Sequence, residues 1–213
     1  LATLFDFPFE DRHLLTYWSD RATEVPEGME GSQEVDEAIR NDLLECLAYF
    51  QRLWEARKDR PGNDFVSMMA HSDAYRDMDP LEYLGNLILL IVGGNDTTRN
   101  SITGGVYALN KWPEEYDKLR ADPSLIPNMV AEIIRWQTPL AHMRRTALED
   151  VEFGGQRIPK GDRVVMWYVS GNRDEAHFDD ADRLVIDRPN ARSHVSFGYG
   201  IHRCMGNRLG EMQ

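Results

Sequence analysis

A chain of 213 residues with 42% apolar side chains can build one core of ordinary domain size, which excludes a disordered or fibrous protein. Its 36 acidic against 24 basic side chains give a net charge of -12, which excludes a general nucleic-acid binder. The acidity is uneven, with 18 acids and 8 bases in residues 1–80 against 18 and 16 in the remainder.

In chain order, the first thirty residues mix aromatics (Phe5, Phe7, Phe9, Tyr17, Trp18) with acids, then loosen into Pro26, Glu27, Gly28 and Gly31, which reads as a surface loop. Val35, Ile39, Leu43, Leu47, Phe50 and Trp54 recur at helical spacing, predicting one buried stripe that Pro61-Gly62 stops. Asp79-Pro80 is an N-cap followed by proline in the first helical turn. No proline follows before Pro113, so a helix of about 30 residues, near 45 Å, is predicted. Within it, Gly93-Gly94-Asn95-Asp96-Thr97 are poor helix formers, and the glycines cost about 1 kcal/mol each against alanine. Taken alone, this reads as a kink with Thr97 bonded to its own backbone.

Pro113 and Pro127 open two further helices, over Glu114–Arg120 and on through Trp136 to Pro139. The second carries Glu132 and Arg135 at i and i+3, where they can pair, a weak signal by itself. Val151–Phe153, Gly154-Gly155 and Gln156–Ile158 predict a hairpin, and Val164–Val169 a further strand. Residues 172–194 are polar and aperiodic, a length that a compact domain keeps where the loop has a task. The class is mainly α with a small β part.

The stretch from Phe197 to Gly206 sets a single cysteine, Cys204, among three glycines just before a helix start, and residues 183–213 carry five arginines against Asp187 and Glu211. Helix start and cations both favour a thiolate, while a lone cysteine otherwise reads as a small buried hydrophobe. Cys46 and Cys204 show no disulfide or zinc spacing, so a reducing cytoplasm is the expected compartment. The longest apolar run, Leu87–Val92, falls far short of a membrane span of about 20 residues. The chain opens without Met, and its last residues, 207–213, read as a helix only begun, so a fragment of a longer protein is expected.

Phe197, Gly198, Gly200, His202, Cys204 and Gly206, at this spacing, resemble the haem-binding loop of the cytochrome P-450 monooxygenases. The resemblance extends to Asp96-Thr97 within the longest helix and to the Glu132–Arg135 pair. It implies the central to carboxyl-terminal portion of that fold, so that residues 1–213 form a partial haem-thiolate monooxygenase domain without its amino-terminal part and extreme carboxyl end. Cys204 is then the ligand of haem b, iron protoporphyrin IX. Asp96 relays protons and Thr97 holds the oxygen species by hydrogen bonding. Arg145 and His202 hold the propionates. A further arginine, Arg183 with Arg188 in reserve, locks Glu132 and Arg135.

Phe5-Asp6-Phe7-Pro8, Gly93–Ser101, Pro139–Arg145 and Val165–Tyr168 look most like the soluble bacterial terminal hydroxylases of alkanes and fatty acids. Candidate substrate walls are Leu89, Val92, Gly93, Leu140, Ala141 and Met143, each of which also reads as ordinary core packing. The resemblance further implies O2, a small apolar substrate, and a ferredoxin-like donor with its reductase meeting the basic surface of Arg192, Arg203 and Arg208. No Rossmann fingerprint serves a nucleotide in this chain. The alternatives are a hydroxylase of terpenes or other cyclic apolar molecules, and a non-catalytic haem-binding remnant or sensor. A cofactor-free hydrolase is disfavoured, since GxSxG, HExxH and P-loop motifs are all missing.

Overall fold

The computed structural model describes residues 1–24 and 32–213, so most of the loop expected around Pro26 to Gly31 lies outside the described residues. The chain divides into two compact units, Leu1–Asp96 and Thr97–Gln213.

In the first unit, α1 (Ala2–Phe5), α2 (His13–Thr23), α3 (Gln33–Arg57) and α4 (Phe65–Ala70) precede α5 (Pro80–Lys111), which continues into the second. The predicted stripe is α3, and its buried Cys46, Leu47 and Phe50 meet Phe5, Phe7 and Trp18 in an aromatic core. Phe5 meets the Phe50 ring edge-on at 5.2 Å, and Phe7 stacks on Tyr49 at 4.8 Å. Arg57 fastens the turn after α1, donating to the carbonyls of Phe5 at 2.8 Å and Asp6 at 2.5 Å and pairing with Asp64 at 2.7 Å. Burial pushes the Cys46 thiol up to about 12, so this cysteine is an inert core residue.

α5 starts where expected, with Asp79 Oδ1 accepting from the Leu81 amide at 2.8 Å, and it runs unbroken for 32 residues through the Gly93–Thr97 stretch. Among the described residues no helix is long and apolar enough to cross a membrane.

The second unit continues with α6 (Pro113–Ala121) and α7 (Ile126–Gln137), each with proline in its first turn. β1 (His142–Thr146) pairs antiparallel with β4 (Arg163–Trp167), and β2 (Val151–Phe153) forms the expected hairpin with β3 (Gln156–Ile158). Gly154 and Gly155, at φ +58 and +75, make its turn, a conformation other residues rarely adopt.

The strand predicted over Val164–Val169 stops at Trp167, because its partner β1 begins at His142, opposite Trp167. With the ladder ended, Tyr168 and Val169 instead open a short helix, α8 (Tyr168–Asn172). The polar stretch after α8 is packed: Phe178, Ala181, Leu184, Ile186, Arg188 and Ala191 are all buried, and Leu184 and Ile186 join Ala108 and Trp136 in a core. It leads through a 3-10 turn at Ala191–Ser193 to the cysteine loop and α9 (Asn207–Met212).

Candidate functional site

The foundation of the site is a buried charge cluster at the end of α7. Glu132 and Arg135 are both fully buried, with Arg135 Nε 2.7 Å from Glu132 Oε2 and Nη2 2.8 Å from Oε1. Arg135 also donates to the carbonyls of Asn172 at 2.6 Å, Ala181 at 2.8 Å and Arg183 at 3.0 Å. The second arginine on Glu132 is Arg188, whose Nε lies 3.0 Å from Oε1, with the Val185 amide donating to the same oxygen at 3.0 Å.

This corrects the assignment of Arg183 as the lock. The Arg183 side chain turns away to pair with Glu114 and, at 3.8 Å, with Glu115, and only its carbonyl joins the cluster. Arg188 is 4% exposed, whereas the Arg183 side chain is 42% exposed. A buried carboxylate draws the arginine that can itself be desolvated and has carbonyls to receive its remaining N–H groups. Arg188 has these, on Asp179, Asp180 and Arg183.

A second buried network, which the sequence reading missed, ties this cluster to the cysteine loop. Asn172 donates from Nδ2 to Thr138 Oγ1 at 2.9 Å and to Ser196 Oγ at 2.8 Å, and its Oδ1 accepts from the Val195 amide at 2.8 Å. Ser196 and Thr138 in turn donate to the carbonyls of Ile134 and Arg135 in α7. The available signal was a Gly-Asn-Arg run interrupting an apolar strand sequence, where an asparagine with both donors and acceptor satisfied can close a corner.

Beyond Ser196 the loop is shaped by its own backbone. The Gly198 amide donates to Val195 O at 2.8 Å, Arg203 to Gly200 O at 3.0 Å, and Cys204 to Phe197 O at 2.9 Å. Gly198 takes φ +69 and also packs so closely that a Cβ there would stand 3.1 Å from the Tyr168 hydroxyl. Phe197 is half-buried against the His194 ring, at 5.3 Å. Burial, reinforced by the positive charges of Arg203 and Arg135, pushes the His194 imidazole down to about 4, so it stays neutral at pH 7.

The loop presents Cys204 at the surface, with Ile201 97% exposed and Met205 85% exposed beside it in sequence. Gly206 is the N-cap of α9, which begins three residues after the cysteine. A cleft of about 350 Å3 alongside is lined by Arg145 from β1, Met166 from β4, Tyr168 from α8, and Gly198, Tyr199, Ile201 and His202 from the loop. The structure therefore brings together Arg145 and His202, the two residues expected to hold carboxylates, next to the cysteine loop. Among the described residues neither has an acidic side chain within ion-pair distance.

Asp96 and Thr97 are consecutive, half-buried residues of α5, and Ser101 Oγ donates to the Thr97 carbonyl at 2.9 Å. On the same helix Leu89 is 72% exposed, Val92 half-buried and Gly93 exposed. Leu140 and Ala141, just before β1, are exposed, and Met143 within it is half-buried. Core packing thus does not account for Leu89, Leu140 or Ala141 within their own units.

The family model described as Cytochrome P450 matches residues 27–213. Linalool 8-monooxygenase of Pseudomonas putida is 47% identical over 172 residues, which are 80% of this chain and 42% of that protein. A steroid C26-monooxygenase of Mycolicibacterium smegmatis is 33% identical over 95% of this chain and 50% of its own length. Among solved structures, cytochrome P450-153 from Novosphingobium aromaticivorans superposes with a TM-score of 0.90 and 53% identity, over 99% of this chain and 51% of that one. The chain thus spans about half the length of the relatives it matches.

Proposed function

The chain belongs to the cytochrome P450 family, and on that premise we propose that the protein carrying it is a haem-thiolate monooxygenase hydroxylating the end of a medium-chain alkane or fatty acid. The observation that carries this reading is the exposed Cys204 on a glycine-shaped loop, beside a cleft that holds Arg145 and His202, neither with an acidic partner among the described residues.

These residues fit haem b. The sulfur of Cys204 is a suitable iron ligand, exposed Ile201 and Met205 offer apolar surface to a flat macrocycle, and Arg145 and His202 offer N–H donors to its two carboxylates. When bound, haem supplies the iron that binds and activates dioxygen.

The chain's own part is to hold and to protect. Glu132, Arg135 and Arg188, with Asn172 and Ser196, fix the polypeptide on which the cysteine loop stands, and their role is structural. Phe197, Gly198, Gly200 and Gly206 shape the loop around the sulfur. Asp96 carries a proton inward from solvent at its carboxyl oxygen, and Thr97 donates its hydroxyl proton in a hydrogen bond toward the reacting oxygen. Leu89, Val92 and Gly93 on α5, with Leu140, Ala141 and Met143, are the proposed apolar contacts for substrate. Electrons come from a ferredoxin-like donor with its reductase, for which exposed Arg203 and Arg208 are the proposed contacts.

A terminal position is supported by two relatives whose names each fix one position, C26 of a steroid and position 8 of linalool. The linalool enzyme also favours a second reading, a compact terpenoid substrate. Titrating the purified haem protein with straight-chain alkanes, fatty acids and terpenes both acyclic (linalool) and cyclic, and following displacement of the iron's water in the Soret band, separates the two. Preferential response to straight chains, with the terminal alcohol as product, is expected. Preferential response to the terpenes would replace it with the second reading.

A further inference from the structure

Tyr168 has no part in the roles assigned above, yet it stands in the cleft that holds both Arg145 and His202. It is the residue at which β4 gives way to α8, so the end of the strand ladder determines where its ring goes. The ring is half-buried, and the hydroxyl lies against Gly198, where an added Cβ would stand 3.1 Å from the oxygen and 3.7 Å from Cζ. Glycine at 198 therefore leaves room for this phenol as well as supplying a positive φ.

The hydroxyl makes no hydrogen bond among the described residues, in a cleft lined by apolar Met166, Val195 and Ile201 together with Tyr199, Arg145 and His202. A phenol held in such a place, beside Arg145 and His202, has one unspent donor. Resting on the haem reading above, we propose that Tyr168 is a third carboxylate-binding group, donating its hydroxyl to a propionate of haem b alongside Arg145 and His202. It adds a donor without adding charge to a site that already holds Arg145 and His202. A hydrogen bond to a charged acceptor is the strong kind, and losing it weakens retention about tenfold or more.

The test is Tyr168→Phe in the haem-loaded protein, which keeps the ring against Gly198 and removes only the hydroxyl. Haem transfer to excess apomyoglobin gives the release rate, and resonance Raman spectroscopy of the bound haem gives its propionate bending band. Release about ten times faster together with a displaced bending band is expected. Release at the wild-type rate overturns the proposal. Faster release with the bending band unmoved also overturns it, because the phenol then acts by packing alone. A wild-type protein that holds no haem defeats the haem reading itself, an outcome visible before the variant is compared.

Discussion

Replacing Arg188 with alanine removes one of the two arginines from a carboxylate that is fully buried. A charge pair at the observed 3.0 Å is worth about 5 kcal/mol at an effective dielectric constant of about 20, before desolvation is counted. Glu132 keeps Arg135 and the Val185 amide, so part of that is retained, while the carbonyls of Asp179, Asp180 and Arg183 lose the donors of Arg188. The net loss falls at about 3–5 kcal/mol, the usual cost of breaking a buried pair from one side. Arg183→Ala removes only a half-exposed pair with Glu114 and a long contact to Glu115, about 0–1 kcal/mol, and leaves in place the Arg183 carbonyl that serves Arg135 and Arg188. With a urea m-value of about 2 kcal/mol/M, the midpoint followed by circular dichroism drops by about 2 M for Arg188→Ala and by about 0.5 M at most for Arg183→Ala. Equal losses, or a larger one for Arg183→Ala, would refute the assignment of Arg188 to the cluster.

Asn172→Ala leaves the Val195 amide without its acceptor and takes the shared donor from Thr138 and Ser196, so unfolding by urea should show a loss of about 2 kcal/mol. His194 gives a pH dependence with a defined sign. Its folded pKa of about 4 lies below that of the unfolded chain, so its contribution is complete above about pH 6.5 and is lost as pH falls toward 4. The amount is about 3 kcal/mol at most, measurable as a urea midpoint that declines between pH 7 and pH 4 and declines less in His194→Phe. Gly198→Ala should cost about 1–2 kcal/mol in thermal or urea unfolding, since alanine pays for φ +69 and its methyl meets the Tyr168 hydroxyl at 3.1 Å.

Helix starts were legible because proline and its cap act locally: Asp79-Pro80, Pro113 and Pro127 each begin a helix where the sequence places it. The Gly154-Gly155 hairpin was legible for the same reason, and so was the pairing of Glu132 with Arg135, whereas Arg145 and His202, which line one cleft, were linked by the family resemblance and by no local signal. The strand end at Trp167 was not, because it depends on where β1 begins, some twenty-five residues earlier in the chain. Nor could an aperiodic stretch reveal which arginine enters the core. Arg183 and Arg188 have similar sequence surroundings, and what separates them is that Glu114 lies within reach of one and Glu132 within reach of the other. Asn172 escaped notice because its partners, Thr138, Val195 and Ser196, come from two distant segments.

The central claim is that Cys204 is the thiolate ligand of haem, and the carbon-monoxide difference spectrum of the reduced protein tests it most directly, since the band position reports the axial ligand. A thiolate-type band is expected in the wild type. It should persist in Cys46→Ala, whose thiol is buried and pushed up to about 12, and vanish in Cys204→Ala. A histidine-type band in the wild type, or a thiolate band that survives Cys204→Ala, would contradict the account.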